Sequence, residues 1–237
     1  MRILAVDSAT PVAGVALLHD GTLLKEEFTN YKKTHSETLM PMIHRVLQEC
    51  DCTMTEVDAL AVTTGPGSFT GLRIGLALVK GLALATGISV VGVNTLEVMA
   101  HNIYDSEALV CPLLNARKGE VYCGFYQVEG RPVSLAEMRA CSPAEFCEQA
   151  LSILAASEAT KIILLGDGYL PYQELFREQL GDKAIMAPSH LMLPRASTLA
   201  DLAVERVSRG EFEDVFGLRP VYIRLSEAEY RLGRGAV

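Results

Sequence analysis

The stretch Gly65-Pro66-Gly67-Ser68-Phe69-Thr70-Gly71-Leu72-Arg73-Ile74-Gly75 separates a short aliphatic run, residues 59–64, from a longer one, residues 72–86, and constrains the fold more than any other part of the chain. Glycine and proline at this density cannot continue a strand, so the first run reads as a strand that ends here and the second as a helix that starts here. Such a junction gathers backbone N–H groups and a helix N-terminus at one spot, which suits an anion such as phosphate. It suits equally a tight turn in which Gly65 and Gly67 take backbone angles closed to other residues and Ser68 or Thr70 caps the helix. The segment lacks the Lys-Ser/Thr ending of a P-loop and does not match the dinucleotide fingerprint.

The helix that follows carries its own constraint. Wound at 3.6 residues per turn, it places Arg73 and Lys80 on one narrow band, while Leu72, Ile74, Leu76, Leu78, Val79, Leu82 and Ala85 cover the rest. A helix on the outside of a layered lobe needs only one apolar stripe, so the surplus calls for a second lobe or another chain. Gly71, Gly75 and Gly81 would admit a closely packed neighbouring helix, offsetting the ~1 kcal/mol that each glycine costs inside a helix. Complete burial within the same chain would use the same residues.

The order of elements places this junction in a fold. Residues 2–7, 12–18 and 22–28 read as three strands, the last two joined by the hairpin signal Asp20-Gly21. Thr34-His35-Ser36-Glu37 has capping-box spacing, and Leu39, Met42, Ile43, Val46, Leu47 and Cys50 follow at helical intervals, with Pro41 predicting a kink or a later start. Strand, glycine segment, helix and a strand at residues 89–93 complete a β-β-β-α-β-α-β lobe. Strands at 109–114, 120–128 and 132–138, a helix at 143–156, a strand at 161–165 and a helix at 171–180 repeat the order, without identity between the halves. An amphipathic helix spans about 196–209. The expected organisation is an N-terminal lobe at 1–103, a C-terminal lobe at 104–217 whose last helix can pack back on the first lobe, and a charged tail at 218–237. Duplicated β-β-β-α-β-α lobes define the α/β, ribonuclease H-like superfamily of actin, Hsp70 and sugar kinases, in which nucleotide sits between the lobes. On that analogy Asp7, Ser8 and Thr10 join Gly65, Gly67, Ser68 and Gly71 as candidates for a nucleotide or anion loop.

Composition narrows the function. A net charge of −8 disfavours a broad phosphate-binding face, so any nucleic acid should be held by a partner. Lys32-Lys33, Arg117-Lys118, Arg219, Arg224, Arg231 and Arg234 are the cationic groups left for a direct contact. The six cysteines form no C-x-x-C pair, which argues against zinc and disulfides. The uncharged apolar run 81–93 is shorter than the ~20 residues of a bilayer span, and the first residues meet Asp7 too early for a signal peptide, so a cytoplasmic, membrane-free protein is expected.

Asp7-Ser8-Ala9-Thr10, Thr34-His35-Ser36-Glu37-Thr38-Leu39 with Pro41, the glycine segment, and Ala116-Arg117-Lys118-Gly119-Glu120-Val121-Tyr122 together resemble TsaB proteins, over most of the chain. The resemblance implies a non-catalytic subunit of the bacterial machinery that places threonylcarbamoyl on tRNA adenosine. It also implies pairing with the catalytic relative TsaD, and homodimerisation, through the helices near 36–50 and 72–86, with the ATPase TsaE as a further partner. The interface residues expected on this basis are Leu39, Met42, Ile43, Val46, Leu72, Leu76, Val79 and Ala83.

Where TsaD carries Val-Asn-His-Leu-Glu-Gly-His, this chain reads Val93-Asn94-Thr95-Leu96-Glu97-Val98-Met99, so both metal-binding histidines are replaced. Asn115-Ala116-Arg117-Lys118-Gly119 stands where TsaD has Asp-Gly-Gly-His-Thr, and Pro194 where it has a metal-ligand Asp. Asn115 also departs from the Asp more usual in TsaB sequences. Neither a catalytic residue nor a metal ligand is expected, and no cofactor of the chain's own, with ATP or ADP and Mg confined to the complex interface. An ATP-binding phosphotransferase or ATPase resting on Asp7 and Gly166-Asp167-Gly168 is the enzymatic alternative. A metalloprotease is disfavoured by the scatter of His19, His35, His44, His101 and His190.

Overall fold

The computed structural model describes residues 1–31 and 34–224. Strands β1 (Arg2–Asp7), β2 (Ala13–His19) and β3 (Thr22–Thr29) form an antiparallel meander whose hairpin turns at Asp20 and Gly21, both at positive φ. Helix α1 (His35–Glu49) leads to β4 (Ala59–Gly65), α2 (Phe69–Thr86) and β5 (Ser89–Asn94), and the sheet order is β3-β2-β1-β4-β5. After the short helix α3 (Thr95–Ala100) come β6 (Ser106–Arg117), β7 (Glu120–Glu129), β8 (Arg131–Cys141), α4 (Pro143–Ala156), β9 (Ile162–Leu165), α5 (Gln173–Leu180) and β10 (Ala184–Met186). Their sheet order, β10-β9-β6-β7-β8, repeats the first position for position, which is the expected duplicated α/β architecture.

Helices α1 and α2 cover one face of the first sheet, with Met42, Ile43, Val46, Leu76 and Val79 packed on Leu4, Val6, Leu60 and Val62. Helix α6 (Ala196–Ser208) covers the other face, where Leu199, Ala200 and Ala203 meet Ile3, Ala5 and Val91. The first sheet is therefore completed by a helix from the end of the chain. Across the lobes, Asp201 of α6 accepts from Arg131 at the start of β8 (2.6 Å) and lies 2.8 Å from His101 Nε2.

Several expected boundaries shift. Helix α1 starts at His35 despite Pro41, and the Thr34 side chain makes no cap hydrogen bond, so the capping-box spacing is not used. Helix α2 starts at Phe69, because the Ser68 hydroxyl accepts from Gly71 N–H at the first turn. Two elements were not anticipated: α3, launched when the Asn94 side chain accepts from Leu96 and Glu97 N–H, and β10, only three residues long.

The largest difference lies at 211–224. Residues 218–224, expected as the start of a loose charged tail, are instead laid across the first lobe. Glu213 bridges Val90 at the edge of β5, Leu218 is buried in the core beneath α2, and Val221 N–H donates to Thr64 C=O at 2.7 Å. The Tyr222 ring stacks on Phe69 with centroids 4.0 Å apart, and Arg224 pairs with Glu120 of the second lobe at 2.9 Å. This segment, called the strap below, joins α2 to the β6–β7 hairpin.

Candidate functional site

The candidate anion loop is brought together by the fold. Asp7 ends β1, Ser8 and Thr10 form the β1–β2 turn, and Gly65, Gly67, Ser68 and Gly71 connect β4 to α2 directly opposite. The two loops close on each other. Ser8 Oγ donates to Gly71 C=O at 2.9 Å, and Ser68 N–H donates to Ala9 C=O at 2.6 Å. A Cβ on Gly67 would come within 2.1 Å of Ala9 O, one on Gly71 within 2.2 Å of Ser8 O, and one on Gly75 within 2.1 Å of Ser8 Oγ. Gly67 and Gly71 are needed here because backbone meets backbone, and two of the amides at the helix start, Ser68 and Gly71 N–H, are spent on the chain itself.

Asp7 is fully buried in this contact. Its Oδ1 accepts from Thr63 Oγ1 at 2.7 Å and from Ala9 N–H at 3.3 Å, and its Oδ2 has no hydrogen-bond partner among the described residues. Burial pushes the carboxyl up to about 6, against the opposing pull of Thr63, the Ala9 amide and His35. A carboxylate reserved for a hydrated cation would be open to solvent, whereas this one is fully buried.

The expected interface residues need correction. Leu39, Met42, Ile43, Val46, Leu72, Leu76, Val79 and Ala83 are at most 3% exposed and fill the chain's own core, because the sheet takes that face of both helices. The face of α2 left to solvent carries Thr70, Arg73, Ala77, Gly81 and Leu84, flanked by the half-buried Ile74 and Leu78. Leu84 is 57% exposed, and Met40 of the neighbouring α1 is 44% exposed. Gly71 and Gly75 admit the β1–β2 turn rather than another helix, whereas a Cβ on Gly81 would meet nothing within 4 Å. By length and composition alone α2 would suffice to cross a membrane, but it carries Arg73 and Lys80 and packs one face on the core.

The strap residues Val221, Tyr222 and Arg224 were missed because an extended segment has no helical or alternating period. The one available signal was the short apolar run Val221-Tyr222-Ile223 between Arg219 and Arg224. In the structure Arg73 Nε donates to Tyr222 Oη at 2.8 Å and its guanidinium lies 5.1 Å from the Phe69 ring centre. Of the cationic groups considered for tRNA, Lys32, Lys33, Arg231 and Arg234 lie outside the described residues. Arg219 and Arg224 donate to carbonyls of Phe216 and Ala116.

In α3, at the end of the first lobe, Thr95 and Met99 are fully buried, Met99 among the apolar residues between the lobes. Asn115 N–H donates to Asp167 Oδ1 at 2.9 Å, and Gly168 N–H donates to Leu113 C=O at 3.0 Å, so the 166–168 loop is pinned on β6. Burial raises the Asp167 carboxyl. Among the described residues no group of three or more His, Cys, Asp or Glu side chains converges to hold a metal. Between the lobes, Asn94, Glu97, Tyr126, Glu137 and Met138 line a cleft of about 600 Å³.

Residues 22–232 match the family model described as TsaD, tRNA N6-adenosine threonylcarbamoyltransferase. The chain is 35% identical over 229 residues to the tRNA threonylcarbamoyladenosine biosynthesis protein TsaB of Bacillus subtilis, covering 97% of this chain and 96% of that one. A crystal structure from Pseudomonas aeruginosa, of an uncharacterized protein with similarity to the peptidase YeaZ, superposes with a TM-score of 0.80 at 31% identity, covering 94% of this chain and 99% of that one. A ROK hexokinase from Thermus thermophilus shares the fold alone, with a TM-score of 0.51 at 15% identity over 86% of this chain and 100% of that one.

Proposed function

The chain belongs to the TsaB family, and from that premise we propose that it is a non-catalytic scaffold in tRNA N6-threonylcarbamoyladenosine synthesis, binding and supporting a TsaD catalytic subunit through the outer face of α2 and the adjoining edge of α1. The carrying observation is that α2 has more apolar surface than the core and the strap take up. Ala77, Gly81 and Leu84 remain in solvent beside Ile74, Leu78 and Met40. A small-residue centre with an aliphatic rim suits a partner helix at close range. The same patch would serve a homodimer when the partner is absent.

The sealed contact between the β1–β2 turn and α2 supports the non-catalytic part of the reading. In this proposal ATP or ADP and Mg, where the complex uses them, lie at the subunit junction rather than in this chain's own cleft. TsaE joins as a further partner, and tRNA is met through the complex, consistent with the net charge of −8.

The test uses Ala77→Arg and Leu84→Arg, because these positions are exposed in the monomer. Each variant should keep its circular dichroism spectrum and melting temperature while losing co-elution with TsaD on size exclusion, and with it tRNA modification in the reconstituted system. Unchanged co-elution of both variants would refute the assigned face. Arg at Leu76 or Val79 would instead break the monomer's core.

A further inference from the structure

Four of the six cysteines, Cys111, Cys123, Cys141 and Cys147, share the second-lobe core, but they are not equivalent. Strands β7 and β8 run antiparallel with Val121 opposite Cys141 and Cys123 opposite Arg139. Paired residues point to the same side of a sheet, so Cys123 and Cys141 are diagonal neighbours on one face. Their sulfurs are 3.6 Å apart, in contact and unbonded. A disulfide needs about 2.05 Å, and small side-chain rotations at both residues supply a change of that order. Cys141 is also the last residue of β8, is 5% exposed, and directly precedes Ser142, the N-cap of α4. We propose that Cys123 and Cys141 form a peroxide-reactive dithiol that closes reversibly into a cross-strand disulfide.

The chemical asymmetry of the pair gives the order of events. The hydrogen bond between the two sulfurs, assisted by Arg139, holds the Cys141 thiol below its ordinary value, and the Cys123 thiol is raised in turn. The N-terminus of α4 also favours the thiolate at Cys141. That thiolate attacks a hydroperoxide, forming an S–O bond as the O–O bond breaks, with hydroxide taking up a proton as it leaves. The Cys123 sulfur then attacks the sulfenic sulfur, the S–S bond forms, the S–O bond breaks, and water departs with the Cys123 proton. Two thiols and one hydrogen peroxide thus give one disulfide and two waters. Cys111 and Cys147 are built-in controls: both are fully buried, burial raises the Cys111 thiol and pushes Cys147 up to about 11.

The bond would tie edge strand β8 to β7. Further along β8, Ser134, Glu137 and Met138 wall the cleft of about 600 Å³ that Asn94 and Glu97 close from the first lobe. Oxidation therefore stiffens one wall of the interlobe cleft.

The full chain, reduced and then exposed to hydrogen peroxide in native buffer, is alkylated in acid and mapped by peptide mass spectrometry. The expected result is a peptide joining Cys123 to Cys141, lighter by two hydrogens, reversed by dithiothreitol, with Cys111 and Cys147 still alkylated. The melting temperature should rise by about 5 °C on oxidation. Cys123→Ser, whose hydroxyl can still donate to the Cys141 sulfur, should leave a sulfenic acid on Cys141 that dimedone traps, and Cys141→Ser should leave Cys123 reduced. A disulfide that pairs other cysteines would overturn the proposal, as would a rate of loss that rises with subdenaturing urea. So would an absence of dimedone adduct on Cys141 in the Cys123→Ser variant, whether or not Cys141→Ser folds.

Discussion

Replacing Asp7 by Asn should change how stability depends on pH, and the structure sets the size. The folded carboxyl titrates at about 6 against an ordinary 3.8, because complete burial disfavours the anion more than Thr63, Ala9 and His35 favour it. At about 1.4 kcal/mol per tenfold change in acidity, the ionised form costs the folded state roughly 3 kcal/mol once fully developed. The sign follows from proton counting. Between the unfolded and folded values the native state holds the proton more tightly, so this contribution to stability is present below about pH 4, is lost as pH rises to about 6, and is level above that. The Asn side-chain oxygen can still accept from Thr63 and Ala9, and it carries no charge. Urea unfolding of both proteins should therefore show the variant gaining on the parent by roughly 2 kcal/mol between about pH 4.5 and about pH 7.5, whatever their offset at the acid end. Titrating groups not coupled to Asp7 cancel in that difference. A difference that is flat across this range would refute the reasoning, since it would mean that the carboxylate is solvated or paired in the fold.

Two glycine substitutions on one helix should act in opposite directions. Gly71→Ala drives a Cβ to 2.2 Å from the Ser8 carbonyl oxygen and should cost about 2 kcal/mol or more in urea unfolding, whereas Gly81→Ala meets nothing and should gain up to ~1 kcal/mol from helix propensity. The same Gly81→Ala change should weaken capture of TsaD in a pull-down if that face is the docking face. Tyr222→Ala removes the stack on Phe69 and the hydrogen bond from Arg73. It should lower stability by about 1 kcal/mol and speed amide exchange at Val221, whose N–H donates to Thr64 C=O, read by mass spectrometry.

The duplicated lobes were legible because each strand and helix keeps its period for four residues or more and is punctuated by Gly, Pro or a capping side chain. The three-residue β10 is too short for any period, and the strap has none, being held by single contacts to residues more than a hundred positions away. The candidate loop was placed correctly in space, but that Ser8 and Ala9 fill it is a fact of approach distances that a sequence does not carry. The error over the docking face has a different origin. A helix that is apolar all round offers no phase, so the side taken by the sheet cannot be told from the side left over. The glycines held a usable clue: Gly71 and Gly75 are one turn apart, while Gly81 lies about 240° further round, so the three cannot serve one neighbour.

The first sheet is closed on one side by residues 196–208, and this dictates the order in which the protein can be made. Ile3, Ala5, Val91 and Val93 have left the ribosome long before Leu199, Ala200 and Ala203 exist to cover them. At roughly 5–20 residues per second, the intervening hundred or so residues leave that apolar face bare for about 5–20 s in every newborn chain. The second lobe must therefore be synthesised, and be well on its way to folding, before the first is finished. A nascent chain stalled inside the second lobe would present a sticky sheet rather than a half-built protein with one sound half, and it is a natural client for chaperones.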